Sequence, residues 1–400
     1  MLVLVRPYNA DFLRDELFRP ISIAGGQWLN FMAEAARTLL AEGIELHTWD
    51  MRPMAKADIV LIQDLPLNRA EVVEARAKAP QAKFVLQILE TPLDRLHHHD
   101  PANHSLFDGV LTYNRRQAAG PQYFHYRLPV APPPRLPAEV PYEERQPLVM
   151  INSNRVTYLF GRRRSGLSGL PGIGPMLSGW HVPFGTLLRE SRGALYGYRR
   201  RLARAAERLP PGMLNIYGHG WRGEPIGWFH RFVPHRPYAC ARGIAEGWKV
   251  DYLCKYRFAL AFENVRSNVG YLSEKLFDNF FAGAVPIYLG DEQISDAVPP
   301  ECFVDARQFD NEHDLLKFAA ACSRADWTRM RDAGKAFITS AAFEPFTARA
   351  FARAMSAAFR HVTTAVPTLA LGSARCPPWP GEGRRDVARG DRCRSGWPRP

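Results

Sequence analysis

Three short stretches of this sequence carry side chains whose types and spacing could do chemistry. The first is Glu274-Lys275, a carboxylate and an ammonium side by side where a helical pattern begins, with Leu276, Phe277, Phe280 and Phe281 on its apolar face. A lysine there adds its charge to the partial positive charge of the unpaired N–H groups at a helix N-terminus, a place that suits phosphate. Glu274, about 100° around the axis, cannot face the same way and is better placed to accept hydrogen bonds from hydroxyls. The second is Glu90, which follows the apolar run Lys83–Leu89 and precedes Thr91-Pro92. It would sit at the carboxyl end of a strand, where α/β folds place ligands, and a carboxylate there can take a proton from an attacking hydroxyl. The third is His97-His98-His99-Asp100. Adjacent histidines point in different directions, and His99 and His104 are one residue too far apart for a helical ligand pair, so no metal site is expected. Nor does the sequence contain an Asp-x-Asp motif on which a metal could hold a pyrophosphate.

The elements that must position these groups alternate in type. Leu2–Val5, Asp58–Ile62, Lys83–Leu89 and Gly109–Tyr113 are brief β-rich runs between polar or turn residues. A helical pattern covers Gln27–Ala41, with Trp28, Phe31, Met32, Ala35 and Leu39 on one face. Such alternation predicts a parallel sheet with Rossmann-like winding. A proline-rich stretch from Pro129 to Pro147 can continue neither element and reads as a stiff connection. Beyond it a second α/β unit is expected: strand Leu148–Asn152, a glycine- and arginine-rich loop Gly161–Arg192, a helix near Ala194–Leu209, strands Met213–Tyr217 and Phe258–Phe262, helix Tyr271–Phe281, strand Val285–Leu289, and helical stretches near Glu312–Ser323 and Thr347–Val362. Gly25-Gly26 reads as a turn. The expected organisation is a first domain over 1–145, a second over 146–365 and a disordered basic tail over 366–400, rich in proline, glycine and arginine without apolar periodicity.

The formal net charge is +12, and the last thirty residues carry seven arginines against three acids. Clusters at Arg162–Arg164 and Arg199–Arg201 are not interleaved with stacking aromatics, so an RNA-binding signature is missing. A solvated basic face, an anionic small molecule and an acidic lipid surface all fit that charge. Six cysteines without a Cys-x-x-Cys pair fit a reduced compartment. No apolar run approaches the roughly 18 residues that span a bilayer, and the first residues read as a strand rather than a signal peptide. The expected location is cytoplasmic, with room for peripheral association at the inner membrane face.

Three pieces then resemble the signature of the α1,3-fucosyltransferases, the family 10 glycosyltransferases: Tyr256-Arg-Phe-Ala-Leu-Ala-Phe-Glu-Asn264, Tyr271-Leu-Ser-Glu-Lys-Leu-Phe277 and Ala282-Gly-Ala-Val-Pro-Ile-Tyr-Leu-Gly290. Ser273 stands where that signature has threonine, and Leu272 where it has valine. Leu89-Glu90-Thr91-Pro92, Ile151-Asn-Ser-Asn154 and Tyr217-Gly-His-Gly-Trp221 are looser echoes in the same order. The resemblance implies a GT-B fold, with two Rossmann-like domains facing across a cleft, the first holding the acceptor and the second GDP-fucose. It implies an inverting enzyme that moves L-fucose from GDP-fucose to a hydroxyl of a galactose- or N-acetylglucosamine-containing glycan, in α1,3 or α1,4 linkage. Glu90 becomes the general base. Asn264 and Tyr271 join Glu274 around the nucleoside, and Lys275 meets the pyrophosphate. A further phosphate-binding arginine is expected near the start of the helix that contains Arg199, which is the best placement. Arg192, Arg200 and Arg201 leave the register open. No cofactor or obligatory metal is expected. Two other readings compete: a GT-B transferase using a different nucleotide-sugar, and a non-enzymatic basic protein binding nucleic acid or membrane.

Overall fold

The central strands of each half are short and buried on both faces, the pattern of a parallel sheet covered by helices on each side. The computed structural model describes residues 1–19, 27–155, 176, 179–182, 193–224, 236–266 and 269–364. Gly25-Gly26, the Trp28 side chain, most of the Gly161–Arg192 segment and the tail 366–400 lie outside the described residues.

In the first half, strands β1 (Leu2–Arg6), β2 (Glu45–Thr48), β3 (Ile59–Gln63), β4 (Lys83–Gln87), β5 (Gly109–Thr112) and β6 (Tyr123–His125) form one parallel sheet in the order β2-β1-β3-β4-β5-β6. Helices α1 (Phe31–Ala41), α2 (Arg69–Lys78) and α3 (Pro101–His104) connect them. Every residue of β3 and β5 is buried. α1 turns Phe31, Met32, Ala35 and Leu39 into the core, the spacing expected of a one-faced helix.

The second half repeats the design. Strands β7 (Gln146–Ile151), β8 (Asn215–Tyr217), β9 (Ala241–Gly243), β10 (Tyr256–Phe262), β11 (Val285–Leu289) and β12 (Val304–Asp305) run parallel in the order β12-β11-β10-β7-β8-β9. Its helices are α4 (Tyr196–Ala206), α5 (Val250–Leu253), α6 (Glu274–Ala282), α7 (Glu312–Ala321) and α8 (Arg324–Thr339). The chain builds outward from β7 through β8 to β9, then returns to place β10 on the other side of β7. That reversal opens a crevice at the carboxyl ends of β7 and β10, the usual ligand position of a doubly wound sheet. The first sheet reverses in the same way between β1 and β3.

The last helix, α9 (Ala348–Thr364), corrects the expected boundary. The sequence reading put this stretch in a second domain running to residue 365. It packs instead on the first sheet: Phe351 meets the ring of Phe31 at 5.3 Å and that of Tyr126 at 5.2 Å. Phe351, Met355, Phe359 and Val362 all belong to the first core. Met1–Thr364 form one compact unit. Within it the halves touch closely at Gly270, whose φ is +85° and whose position leaves no room for a Cβ, because the carbonyl oxygen of Tyr113 would lie 2.2 Å away.

Candidate active site

A cleft of about 330 Å³ lies where the two sheets face one another. It takes Leu89 and Glu90 from beyond β4, Ile151–Ser153 from the end of β7, Asn264 from beyond β10, and Ser273, Glu274 and Lys275 from the start of α6. Five of the six residues singled out in the sequence therefore share one wall or the other: Glu90, Asn264, Tyr271, Glu274 and Lys275. Two doubly wound sheets facing across such a cleft make a GT-B architecture.

The α6 start is built by a small network. Ser273 is the N-cap, with extended backbone and its Oγ accepting from the Lys275 N–H. The helix therefore begins at Glu274, three residues later than the sequence pattern suggests, and Tyr271 and Leu272 approach it as loop. The same Ser273 hydroxyl lies 2.8 and 2.9 Å from the two carboxylate oxygens of Glu263, a side chain only 1% exposed, which also accepts from the Ser273 N–H. Lys275 Nζ stands 3.4 Å from Glu263 and 3.1 Å from Ser273 Oγ. An ammonium has three donors, so its head is steadied from behind while the side chain lines the cleft.

Glu274 faces differently, as the helical offset requires. Lys249, the residue before α5, donates to its Oε1 at 2.8 Å. Burial alone would raise the Glu274 carboxyl, but the ammoniums of Lys249 and Lys275 overcome this and hold it well below the usual carboxylate range. Tyr271 is buried, packs edge-on against Tyr113 at 5.1 Å, and has its phenol pushed well up by burial and by the charges of Glu90 and Glu263. Asn264 donates across the halves to Asp94 Oδ2 at 3.0 Å.

Glu90 is fixed through its main chain. Its N–H and that of Leu89 point at Asp64 Oδ1, at 3.4 and 2.8 Å, and its carbonyl accepts from Tyr113 Oη at 3.1 Å and from His99 Nε2 at 2.8 Å. The half-buried carboxyl is raised to about 8, first by burial and then by the charges of Asp94 and Asp64. The histidine run supplies scaffolding here. His98 Nε2 donates to the carbonyl of Leu65, and His104 Nε2 to that of His98. Burial lowers all of these rings, His99 to about 4 and His97 to about 2, so they are neutral donors at ordinary pH.

Arg199 departs from expectation. It is 2% exposed and lies behind the cleft wall, where Nη2 donates to the carbonyls of Phe262 at 2.6 Å and Glu263 at 2.8 Å and reaches Asn264 Oδ1 at 3.4 Å. A buried guanidinium binds the carbonyls at the carboxyl end of β10. Arg199 thus shapes the strand end and orients Asn264. Arg200 donates to the carbonyl of Arg155 at 2.6 Å and Arg201 to Glu312 at 2.6 Å, while Arg192 lies outside the described residues. Among the described residues, the arginine that lines the cleft is Arg155, 3.7 Å from Asp94. Arg155, Asp94 and Lys249 went unremarked in the sequence. Asp94 lies four residues beyond Glu90 and could have been suspected from that spacing, but nothing marks Lys249 short of its contacts.

Residues 242–329 match the model for glycosyltransferase family 10 (fucosyltransferase), C-terminal part. The match to glycosyltransferase family 10 covers that segment, under a quarter of the chain. Curated relatives align over short stretches. An alpha-(1,3)-fucosyltransferase of Helicobacter pylori is 36% identical over 73 residues, 18% of this chain and 15% of the relative. An alpha-(1,4)-fucosyltransferase of Arabidopsis thaliana is 30% identical over 119 residues, 28% of this chain and 29% of the relative. Alpha-(1,3)-fucosyltransferase 4 of Mus musculus is 41% identical over 93 residues, covering 22% and 20%. The match thus spans less than a third of each of these relatives. A crystal structure of an alpha1,3-fucosyltransferase with GDP-fucose superposes with a TM-score of 0.49 and 13% identity over 91% of this chain and 90% of that one. The family 10 segment contains Asn264, Tyr271, Glu274 and Lys275. Glu90 and Arg199 fall outside it.

Proposed function

We propose that this protein is an inverting fucosyltransferase that moves L-fucose from GDP-fucose to a hydroxyl of a glycan acceptor, in α1,3 or α1,4 linkage. The observation that carries this reading is the convergence of Glu90 from the first half with Glu274 and Lys275 of the family 10 segment in one cleft. Breaking a sugar–phosphate bond builds negative charge on the departing GDP and oxocarbenium character on the ring. Lys275 and the N–H groups that open α6 offer fixed positive charge to the pyrophosphate, and this is worth most where charge develops. Glu274, held ionised, accepts from ribose hydroxyls, with Asn264 and Tyr271 beside it. The acceptor oxygen attacks the anomeric carbon from the face opposite GDP, the bond to phosphate breaks with its electron pair leaving on GDP, and the acceptor proton passes to Glu90. No step requires a metal.

The test is incubation with GDP-fucose, GDP-mannose and UDP-sugars against a panel of galactose- and N-acetylglucosamine-containing glycans, read by mass. A gain of one deoxyhexose from GDP-fucose alone supports the reading. Transfer from another donor replaces it with the wider GT-B reading.

A further inference from the structure

Beside Glu274 the cleft holds two charged side chains the mechanism does not use, Lys249 and Asp278. Lys249 Nζ lies 2.8 Å from Glu274 Oε1 and 3.7 Å from Asp278 Oδ2. The two carboxylates stand four residues apart on α6, hence on one helix face, and Lys249, Glu274 and Asp278 all line the cleft. Their side chains are 37%, 24% and 16% exposed. Two like charges at that spacing repel one another, and burial makes ionising both costlier still. A lysine from a different element, at the start of α5, sits between them.

We propose that Lys249 is a positioning residue: it fixes the Glu274 and Asp278 carboxylates as a paired acceptor for the sugar hydroxyls of a nucleoside diphosphate. This rests on the donor reading given above. Without the ammonium, Glu274 would face burial and the Asp278 charge with Lys275, 3.8 Å away, and a backbone N–H left to oppose them. A carboxyl that takes up a proton, or swings toward Lys275, no longer presents two acceptor oxygens to a ribose. Asp278 already leans that way. Burial raises it, and the Glu274 charge adds to this, so that even beside Lys249 and Lys275 it stands at about 6.

The experiment is calorimetry of GDP and of 2′,3′-dideoxy-GDP with wild type, Lys249→Met, Lys249→Arg and Glu274→Gln, each checked by a melting curve. Wild type should bind GDP roughly 10- to 100-fold more tightly than the dideoxy analogue, the range for hydrogen bonds to a charged group. Lys249→Met and Glu274→Gln should lose most of that discrimination, and Lys249→Arg should keep it. The ratio of the Lys249→Met dissociation constant to that of wild type should be larger at pH 6 than at pH 8, because Glu274 without Lys249 takes up a proton more readily as pH falls. Taking the ratio removes the titration of the nucleotide phosphate and of Glu90 in the same cleft. A Lys249→Met protein that discriminates as wild type does, even with a lowered melting temperature, makes Lys249 a merely structural tie and overturns the inference. If that variant does not fold, full discrimination in Lys249→Gln or in Glu274→Gln overturns it equally. Wild-type protein that binds no GDP overturns the donor reading itself, a separate failure.

Discussion

At Lys275 two demands meet in one side chain. The proposed donor site puts its ammonium where a pyrophosphate would bind, and it also lies 3.4 Å from Glu263, a carboxylate with almost no access to water. Lys275→Ala should therefore weaken GDP binding roughly 10- to 100-fold, the loss expected when a charge-assisted contact goes. Turnover should fall further, because charge on GDP grows as the bond breaks. The melting temperature should fall as well, since buried Glu263 loses the ammonium 3.4 Å away. Lys275→Arg, which keeps the charge, separates the two roles: it should restore stability more fully than turnover, because a planar fork does not reproduce a compact ammonium. Unchanged GDP affinity in the Ala variant would remove Lys275 from the pyrophosphate site. Legibility at this scale follows chain distance. Glu274 and Lys275 could be read because their meaning lies in their position at a helix start. Arg199 was expected at a ligand because the resembled family has a phosphate-binding arginine near the start of that helix, and the basic run left its register open. What the run cannot show is which arginine turns inward, and that is decided by the carbonyls of Phe262 and Glu263, more than sixty residues away.

Elements were legible where pattern and punctuation agree. β1, β4, β5, β7, β10 and β11 fall within a few residues of the apolar runs that announce them. The start of α6 was read too early, because Tyr271 and Leu272 continue the apolar pattern while the Ser273 cap ends it. α8 was not anticipated at all. Its sixteen residues bury only Trp327, Gly334 and Phe337, too few and too widely spaced to stand out as a stripe. β9 and β12 have three and two residues and carry no periodicity to read. Ser273→Ala is the test at this scale. Losing an N-cap costs roughly 0.5–2 kcal/mol, and here it also strips a donor from Glu263 and a steadying contact from Lys275. We expect a lower melting temperature together with weaker GDP binding, and near-complete rescue by Ser273→Thr, which restores the hydroxyl. A stability loss with unaltered GDP affinity would mean that the cap and the cleft are independent.

For the whole molecule, two doubly wound sheets and a proline-rich connection followed from alternation and composition, whereas the return of α9 to the first sheet did not. Periodicity shows that a helix has an apolar face, not which surface receives it. The consequence is that both ends of the described chain stabilise the first half. Phe351→Ala should cost about 3–5 kcal/mol, the usual figure for emptying a buried aromatic site, read as a fall in unfolding free energy. A loss under about 1 kcal/mol, typical of surface positions, would mean that α9 is not docked there. The Phe31 ring beneath Phe351 also lines the cleft, so this packing supports the face from which Glu90 works. That two halves act on one bond is the central claim, and Glu90 is the proton acceptor it assigns. The direct test is the pH dependence of kcat/KM with GDP-fucose for wild type and Glu90→Gln, since kcat/KM reports the ionisations of the free enzyme. Burial and the neighbouring aspartates keep Glu90 protonated below about 8, so the base form grows as pH rises. Wild-type kcat/KM should climb from pH 6 and level off above that value. Glu90→Gln should fold normally, bind GDP as wild type does, run roughly 10²–10⁴-fold slower and show no such step. Activity within about threefold of wild type, far short of a lost general base, or an unchanged step in the variant, would contradict the account.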